Sequence, residues 1–304
     1  MKGIILAAGT GSRLFPITHS SSKALLPVYN KPMVYYPLSA LMLSGITEIL
    51  IICSKEFLPL YRNLLGDGSK FGISIRYEIQ HAPDGIAQSF QIGEEFIGDD
   101  CVCLVLGDNL FYGHGLPELL SSARKKVESE GGGVVFGYNV KEPEKYGVAE
   151  IINEKLVGIE EKPDCPKSNW AVIGIYMYDN SVVEVANSIG RSVRGELEIT
   201  SVNQEFLKKE ALSITTMGRG YTWFDTGNAE DLFSASSFVR MIENRQGLNI
   251  ACLEEIAYYM GYINSDELLA QADILSGTAY GKYIKKVAEY ESNTKEGIFI
   301  YEQK

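Results

Sequence analysis

The sequence predicts an α/β protein: a mixed, mostly parallel sheet flanked by helices, with further helices at the C-terminal end. Three observations carry this. Short continuous apolar runs alternate with helix-like stretches over the first 110 residues, as in βαβ units. The first of these runs opens directly into a Gly-rich loop. After about residue 130 the texture changes to closely spaced strand-like segments, and from Asn228 almost to Ile284 it is helical.

Each element has a local reason. Ile4–Ala7, Ile49–Cys53, Ile73–Ile79 and Val102–Leu106 read as buried strands. Between them lie three helical stretches: Met33–Ser44, ended by Gly45; Glu56–Leu65, ended by Gly66; and Ile86–Phe96. A further helix is expected at Leu116–Glu130. Gly133–Val140, Val148–Ile152, Leu156–Glu160 and Val172–Tyr178 read as strands, with Asn153-Glu154 as a hairpin turn. Glu198–Lys209 reads as a helix and Leu212–Met217 as a strand. Residues 1–247 are expected to form the α/β domain, 248–291 a helical subdomain and 292–304 a polar tail.

Composition narrows the function. The chain has 304 residues, 45% hydrophobic and 22% charged, which is too apolar for a disordered chain and long enough for a sizeable core. A net charge of −11 argues against nucleic acid or an anionic membrane as main partner. It leaves room for a phosphorylated small ligand, because a few cations in one cleft set the local field. The five cysteines (Cys53, Cys101, Cys103, Cys165, Cys252) are scattered, with no C-x-x-C, and read as thiols of a reducing compartment. No apolar stretch approaches the ~18 residues of a membrane span. The expected location is the cytoplasm.

The first strand runs into Ala7-Ala8-Gly9-Thr10-Gly11-Ser12-Arg13-Leu14. Glycines there let backbone N–H groups approach phosphate oxygens. Leu14 stands where a dinucleotide fingerprint needs glycine, and no Gly-Lys-Ser/Thr exists anywhere in the chain. Arg13, and Lys23 ten residues on, add the cations a polyphosphate requires. Asp108, in Gly107-Asp108-Asn109, ends a buried apolar strand, and Asp225 ends Tyr221-Thr222-Trp223-Phe224. Either could be a turn residue. Two such carboxylates beside a phosphate loop suit a Mg²⁺ completed by ligand phosphates and water. Glu161-Lys162 reads either as a solvated ion pair or as a sugar-hydroxyl acceptor beside a phosphate cation. Arg194-Gly195-Glu196 is either part of such a pocket or the acidic start of a helix. The histidines (His19, His81, His114) are isolated, and neither a Gly-x-Ser-x-Gly elbow nor a zinc spacing occurs.

Taken together, these segments resemble the glucose-1-phosphate thymidylyltransferase family of the sugar nucleotidyltransferases over about residues 1–290. The Gly-rich start marks the wider superfamily. Arg194-Gly195-Glu196-Leu197-Glu198-Ile199-Thr200, and Tyr112-Gly113-His114 after Gly-Asp-Asn, mark this branch. The resemblance implies the Rossmann-like nucleotide-diphospho-sugar transferase fold. It also implies in-line attack of glucose 1-phosphate on the α-phosphorus of dTTP, with Mg²⁺, as the first step towards dTDP-rhamnose. By the resemblance, Leu6, Ala8, Gly9, Gly11, Ser12 and Arg13 hold the nucleotide, and Lys23 binds its phosphates. Gln80 and Gly85 read the base; Asp108 and Asp225 hold the metal. Lys162 binds the sugar phosphate, and Tyr146, Gly147, Glu161, Val172, Arg194 and Glu196 surround the sugar. A second, regulatory nucleotide site is implied at Tyr112, Gly113, His114, Gly218, Arg219, Ala251, Cys252, Glu255 and Ile256, in a homotetramer inhibited by dTDP-rhamnose. Ala8 and Ala24 depart from the family pattern, which usually has Gly and Gln there. The alternatives are a UTP-dependent or other-hexose nucleotidyltransferase, or a non-catalytic nucleotide-sugar-binding subunit.

Overall fold

A computed structural model describes residues 1–293. Of the tail expected at 292–304, residues 294–304 lie outside the described residues. The chain opens with β1 (Lys2–Ala7), a small ribbon of β2 (Pro27–Val28) and β3 (Lys31–Pro32), and α1 (Tyr35–Leu43). Next come β4 (Glu48–Cys53), α2 (Leu58–Leu65), β5 (Ser74–Ile79), α3 (Gln88–Ile92), α4 (Glu94–Ile97) and β6 (Val102–Leu106). β7 (Leu110–Gly113), α5 (Leu116–Glu130), β8 (Gly133–Asn139), β9 (Gly147–Ile152), β10 (Lys155–Glu161) and β11 (Trp170–Tyr178) follow. The rest is α6 (Val182–Ser188), α7 (Ile199–Lys208), β12 (Leu212–Met217), β13 (Tyr221–Phe224), α8 (Ala229–Gln246), α9 (Leu253–Tyr259), α10 (Ser265–Ile274) and α11 (Ala279–Asn293).

Nine strands make one sheet, with the path β10-β9-β11-β6-β1-β4-β5; β8 pairs with β11, and β12 with β8. The run β6-β1-β4-β5 is wholly parallel; β5, expected as a buried strand, is instead the end strand of the path and alternates buried Ile75 with exposed Ser74, Arg76 and Glu78. β11 enters antiparallel to β6 and β8, which makes the sheet mixed. Helices cover both faces. Ile5, Ile49, Ile51, Cys103 and Val105 pack with α1, α5 and α9 on one side. Their chain neighbours Ile4, Leu50, Ile52, Val102 and Leu104 pack with Phe90, Phe96 and Phe206 on the other. Successive strand residues point to opposite faces, so a strand buried on both sides must be apolar throughout.

The single helix expected at Ile86–Phe96 is broken into α3 and α4 at Gly93. A Cβ there would sit 2.9 Å from Ile4 Cδ1, so the chain turns where it lies flat on the sheet. Asn153 and Glu154 both have positive φ (49° and 64°), the hairpin geometry their position suggested. The β7–β13 ribbon, α6 and the β2–β3 ribbon are short elements whose pairing or packing is non-local. No helix of the described residues is long and apolar enough to cross a membrane.

Candidate active site

The parallel strands β1 and β6 are in register, Leu6 opposite Leu106, so both end at the same edge of the sheet. The Gly-rich loop leaves from one and Asp108 from the other. Gly107 lets the two turns touch: a Cβ on it would lie 2.9 Å from both Leu6 O and Ala7 Cβ. Gly11 has φ +62° and would meet Thr18 at 3.0 Å, so a side chain there would be both strained and crowded. Gly9 has open space around its Cα.

Beside this edge lies a cavity of about 340 Å³. From the first half of the chain, Leu6, Gly9, Arg13, Lys23 and Asp108 line it. From later in the chain come Tyr146, Gly147, Glu161, Lys162, Val172, Arg194, Glu196 and Asp225. Ala8, Gly11, Ser12, Gln80 and Gly85 are not among its lining residues. Gln80 follows β5 and is buried, its N–H bonded to Cys53 O at the end of β4. It therefore sits on the same edge, two strands from β1.

Lys23 is mostly buried and its ammonium pairs with Asp108 Oδ2. Asp108 Oδ1 accepts from Asn109 Nδ2 at 2.7 Å, so both carboxylate oxygens are held. Asp225, like Asp108, is half-buried. Burial, then the neighbouring Asp108 charge, raise its pKa, partly offset by the Gly227 N–H and by Lys23. Thr226, fully buried at the unusual φ of 39°, donates to Asp108 O at 2.7 Å and locks the two turns together. Across the cavity, the Glu161 carboxylate accepts from Thr200 Oγ1 and from Arg194 at 3.2 Å. Arg194 also reaches Glu198 at 2.7 Å and Glu196 at 3.8 Å. Lys162 is half exposed and only loosely paired, 3.8 Å from Glu161.

Residues 2–241 match the Nucleotidyl transferase family. The glucose-1-phosphate thymidylyltransferase of Neisseria meningitidis is 52% identical over 288 residues, covering 94% of this chain and 99% of that protein. The glucose-1-phosphate thymidylyltransferase of Mycolicibacterium smegmatis is 48% identical over 96% of this chain and 100% of that protein. The chain belongs to the glucose-1-phosphate thymidylyltransferase family. A solved structure from Bacillus anthracis, in complex with a sucrose and carrying that family name, superposes with a TM-score of 0.73 at 42% identity, covering 79% of this chain and 95% of that one. A UDP-glucose pyrophosphorylase complexed with UDP-glucose superposes with a TM-score of 0.71 at 24% identity, over 79% of this chain and 98% of that one, and shares the fold.

Several cavity residues of this thymidylyltransferase-family chain escaped the sequence reading: Asn109, Lys145, Gly174, Tyr176, Glu198 and Trp223. Strand alternation held a signal for some of them. Val172, Gly174 and Tyr176 share one face of β11 by their period of two, and Trp223 stands two before Asp225. Trp223 Nε1 donates to Asn109 Oδ1 at 2.6 Å, and its ring meets Tyr146 edge-on at 5.2 Å. Tyr146 is pushed up in pKa by burial, then by Asp225.

The residues expected at a second site fall into two environments. Tyr112 and Gly113 lie on the β7–β13 ribbon, and Gly218 and Arg219 are exposed just before β13. Tyr112 packs with Phe238 beside Ala251, and His114 is exposed nearby in the chain. Cys252, Glu255 and Ile256 are instead fully buried in the main core. The Glu255 carboxylate accepts from Tyr283 Oη at 2.8 and 2.9 Å, and burial pushes its pKa up to about 8.

Proposed function

We propose that this protein transfers the thymidylyl group of dTTP to glucose 1-phosphate, giving dTDP-glucose and pyrophosphate, the entry step of dTDP-rhamnose synthesis. The observation that carries the reading is the convergence of Arg13, Lys23, Lys162 and Arg194 with Asp108 and Asp225 on one cavity. Joining two anionic phosphates demands such a concentration of cations. It does not demand a protein nucleophile. One phosphate oxygen of glucose 1-phosphate attacks the α-phosphorus in line, and the bond to pyrophosphate breaks with its electron pair leaving on the bridging oxygen.

In this reading, Gly9 lets the triphosphate approach the loop backbone, and the Arg13 fork and Lys23 hold its oxygens. Lys162 holds the sugar phosphate. Glu161, its carboxylate fixed by Thr200 and Arg194, accepts from sugar hydroxyls, with Tyr146, Gly147, Val172 and Glu196 around the ring. Asp108 and Asp225 fit Mg²⁺: their oxygens only accept, and a hard dication would offset both the burial and the Asp108 repulsion that raise Asp225. The chemistry supplied with Mg²⁺ bound is neutralisation of triphosphate charge.

The test is pyrophosphate release from a panel of nucleoside triphosphates and hexose 1-phosphates. With dTTP and glucose 1-phosphate, the product is dTDP-glucose. UTP lacks only the base methyl and adds a 2′-hydroxyl, so its kcat/KM falls by the roughly 1–3 kcal/mol such contacts provide, and ATP is used very little. No product from any pair, in folded protein, overturns the reading; product from UTP in preference to dTTP reassigns the nucleotide.

The regulatory reading rests on Arg219, an exposed cation two residues before β13, the strand that pairs with Tyr112 and Gly113. A diphosphate such as that of dTDP-rhamnose would pair with it in a homotetramer. In Arg219→Ala, inhibition by dTDP-rhamnose weakens while uninhibited turnover stays near normal. Inhibition that is purely competitive with dTTP and unchanged in the variant removes the second site.

A further inference from the structure

Gln80 is 6% exposed, yet its amide makes two hydrogen bonds, both as donor. Nε2 donates to Gln88 Oε1 at 2.6 Å and to Gly85 O at 3.4 Å. Among the described residues, Gln80 Oε1 has no protein donor. Nor is it fully buried: it keeps a little contact with solvent. Gln88 in turn donates its Nε2 to Asp84 Oδ2 at 3.2 Å. Asp84 is held by Arg191, with contacts of 3.0 Å to each carboxylate oxygen. That partner keeps Asp84 below the usual carboxylate range, hence ionised and able only to accept.

The direction of the chain follows from its ionised end. Because Asp84 accepts, Gln88 must present its N–H₂ to it. Gln88 Oε1 then faces Gln80 and accepts from Nε2. Both Gln80 N–H bonds are thereby occupied, and its Oε1 is left without a protein donor among the described residues. The turn that carries this relay is rigid. Gly85 has φ +111°, and a Cβ on it would fall 2.4 Å from Leu197 O. Asp84 O accepts from Leu197 N at 2.7 Å, and Ile86 lines the cavity itself.

We propose that Gln88, polarised by the Asp84–Arg191 pair, is a positioning residue that fixes the Gln80 amide as an acceptor, selecting a base that offers a ring N–H over one that offers a ring lone pair. The inference rests on the reading of Gln80 as the base contact. Thymine and uracil carry N3–H, whereas cytosine presents N3 as an acceptor, so an outward Oε1 meets a donor in the first two and a lone pair in the third.

Three substitutions at one position separate polarity from packing. Gln88→Glu gives up the donation to Asp84 and sets a second carboxylate beside it, but still accepts from Gln80 Nε2. Gln88→Leu offers nothing. Gln88→Lys can pair with Asp84 while donating to Gln80, which favours the reversed amide. The readout is the ratio of kcat/KM for dTTP over dCTP, both measured in one preparation, so the folded fraction cancels. The ratio is expected to exceed ~10² in the unsubstituted protein, since a mismatched buried hydrogen bond is heavily penalised. It stays within about threefold in Gln88→Glu, falls about tenfold in Gln88→Leu and falls furthest in Gln88→Lys. The KM for glucose 1-phosphate does not follow this order. A ratio unchanged in Gln88→Leu and Gln88→Lys, while Gln80→Leu collapses it, overturns the relay and leaves the base contact standing. A ratio unchanged in Gln80→Leu overturns both.

Discussion

Asp108→Asn is expected to lower turnover by ~10²-fold or more, the scale of a lost electrostatic contact to a charge-bearing transition state. The substitution keeps the shape of the Gly107–Asn109 turn and removes one of the two charges proposed to hold Mg²⁺. It also leaves the Lys23 ammonium without its carboxylate, at a site where that side chain is only 11% exposed. Lys23 is then free to sit closer to the triphosphate. The substrate KM should therefore rise less than kcat falls. The amide oxygen can still accept from Lys23, and Thr226 still bonds to the backbone oxygen of residue 108, so the melting temperature should change little. Steady-state kinetics with a parallel thermal melt decide the matter. Reduced stability with unchanged turnover per folded molecule makes Asp108 a turn residue.

Glu243→Leu is expected to cost about 3–5 kcal/mol of stability, the range for stranding a buried charge. Glu243 Oε1 accepts from Lys31 Nζ at 2.7 Å and from Ile250 N–H at 2.9 Å, and Oε2 accepts from Asn30 Nδ2 at 2.7 Å. Lys31 is 2% exposed, so water cannot replace the lost partner. This carboxylate joins the β2–β3 ribbon, the C-terminal turns of α8 and the start of the segment leading to α9. Adding Lys31→Met should restore part of the loss, because the stranded charge is gone. Denaturant titrations of the single and double variants measure it. A double variant no more stable than Glu243→Leu alone shows that the cost lies in the Asn30 and Ile250 hydrogen bonds.

The parallel core was legible because each of its strands solves a local problem. Ile49–Cys53 and Val102–Leu106 are apolar at every position, and only burial on both faces calls for that. The Gly-rich loop was legible for a similar reason: Gly11 needs a backbone conformation that other residues resist. Asp108 could be placed because a carboxylate ending an apolar run must lie at the sheet's edge. None of these inferences needs a distant partner.

The sequence by itself thus determined the parallel half of the fold, the Gly-rich loop after β1 and the carboxylates at the strand ends. The tertiary structure alone decided what each polar group faces. Glu243 meets Lys31 across 212 positions and Trp223 meets Asn109 across 114, separations no local pattern encodes. Arg194 is gathered by Glu161, Glu196 and Glu198 rather than left free, and Gln80 donates to Gln88, which donates in turn to Asp84. The cause is the range of the interactions. Burial and backbone preference act through a residue's own neighbours in sequence, whereas a hydrogen bond or ion pair is defined only once two remote segments have packed and their side chains have fixed directions.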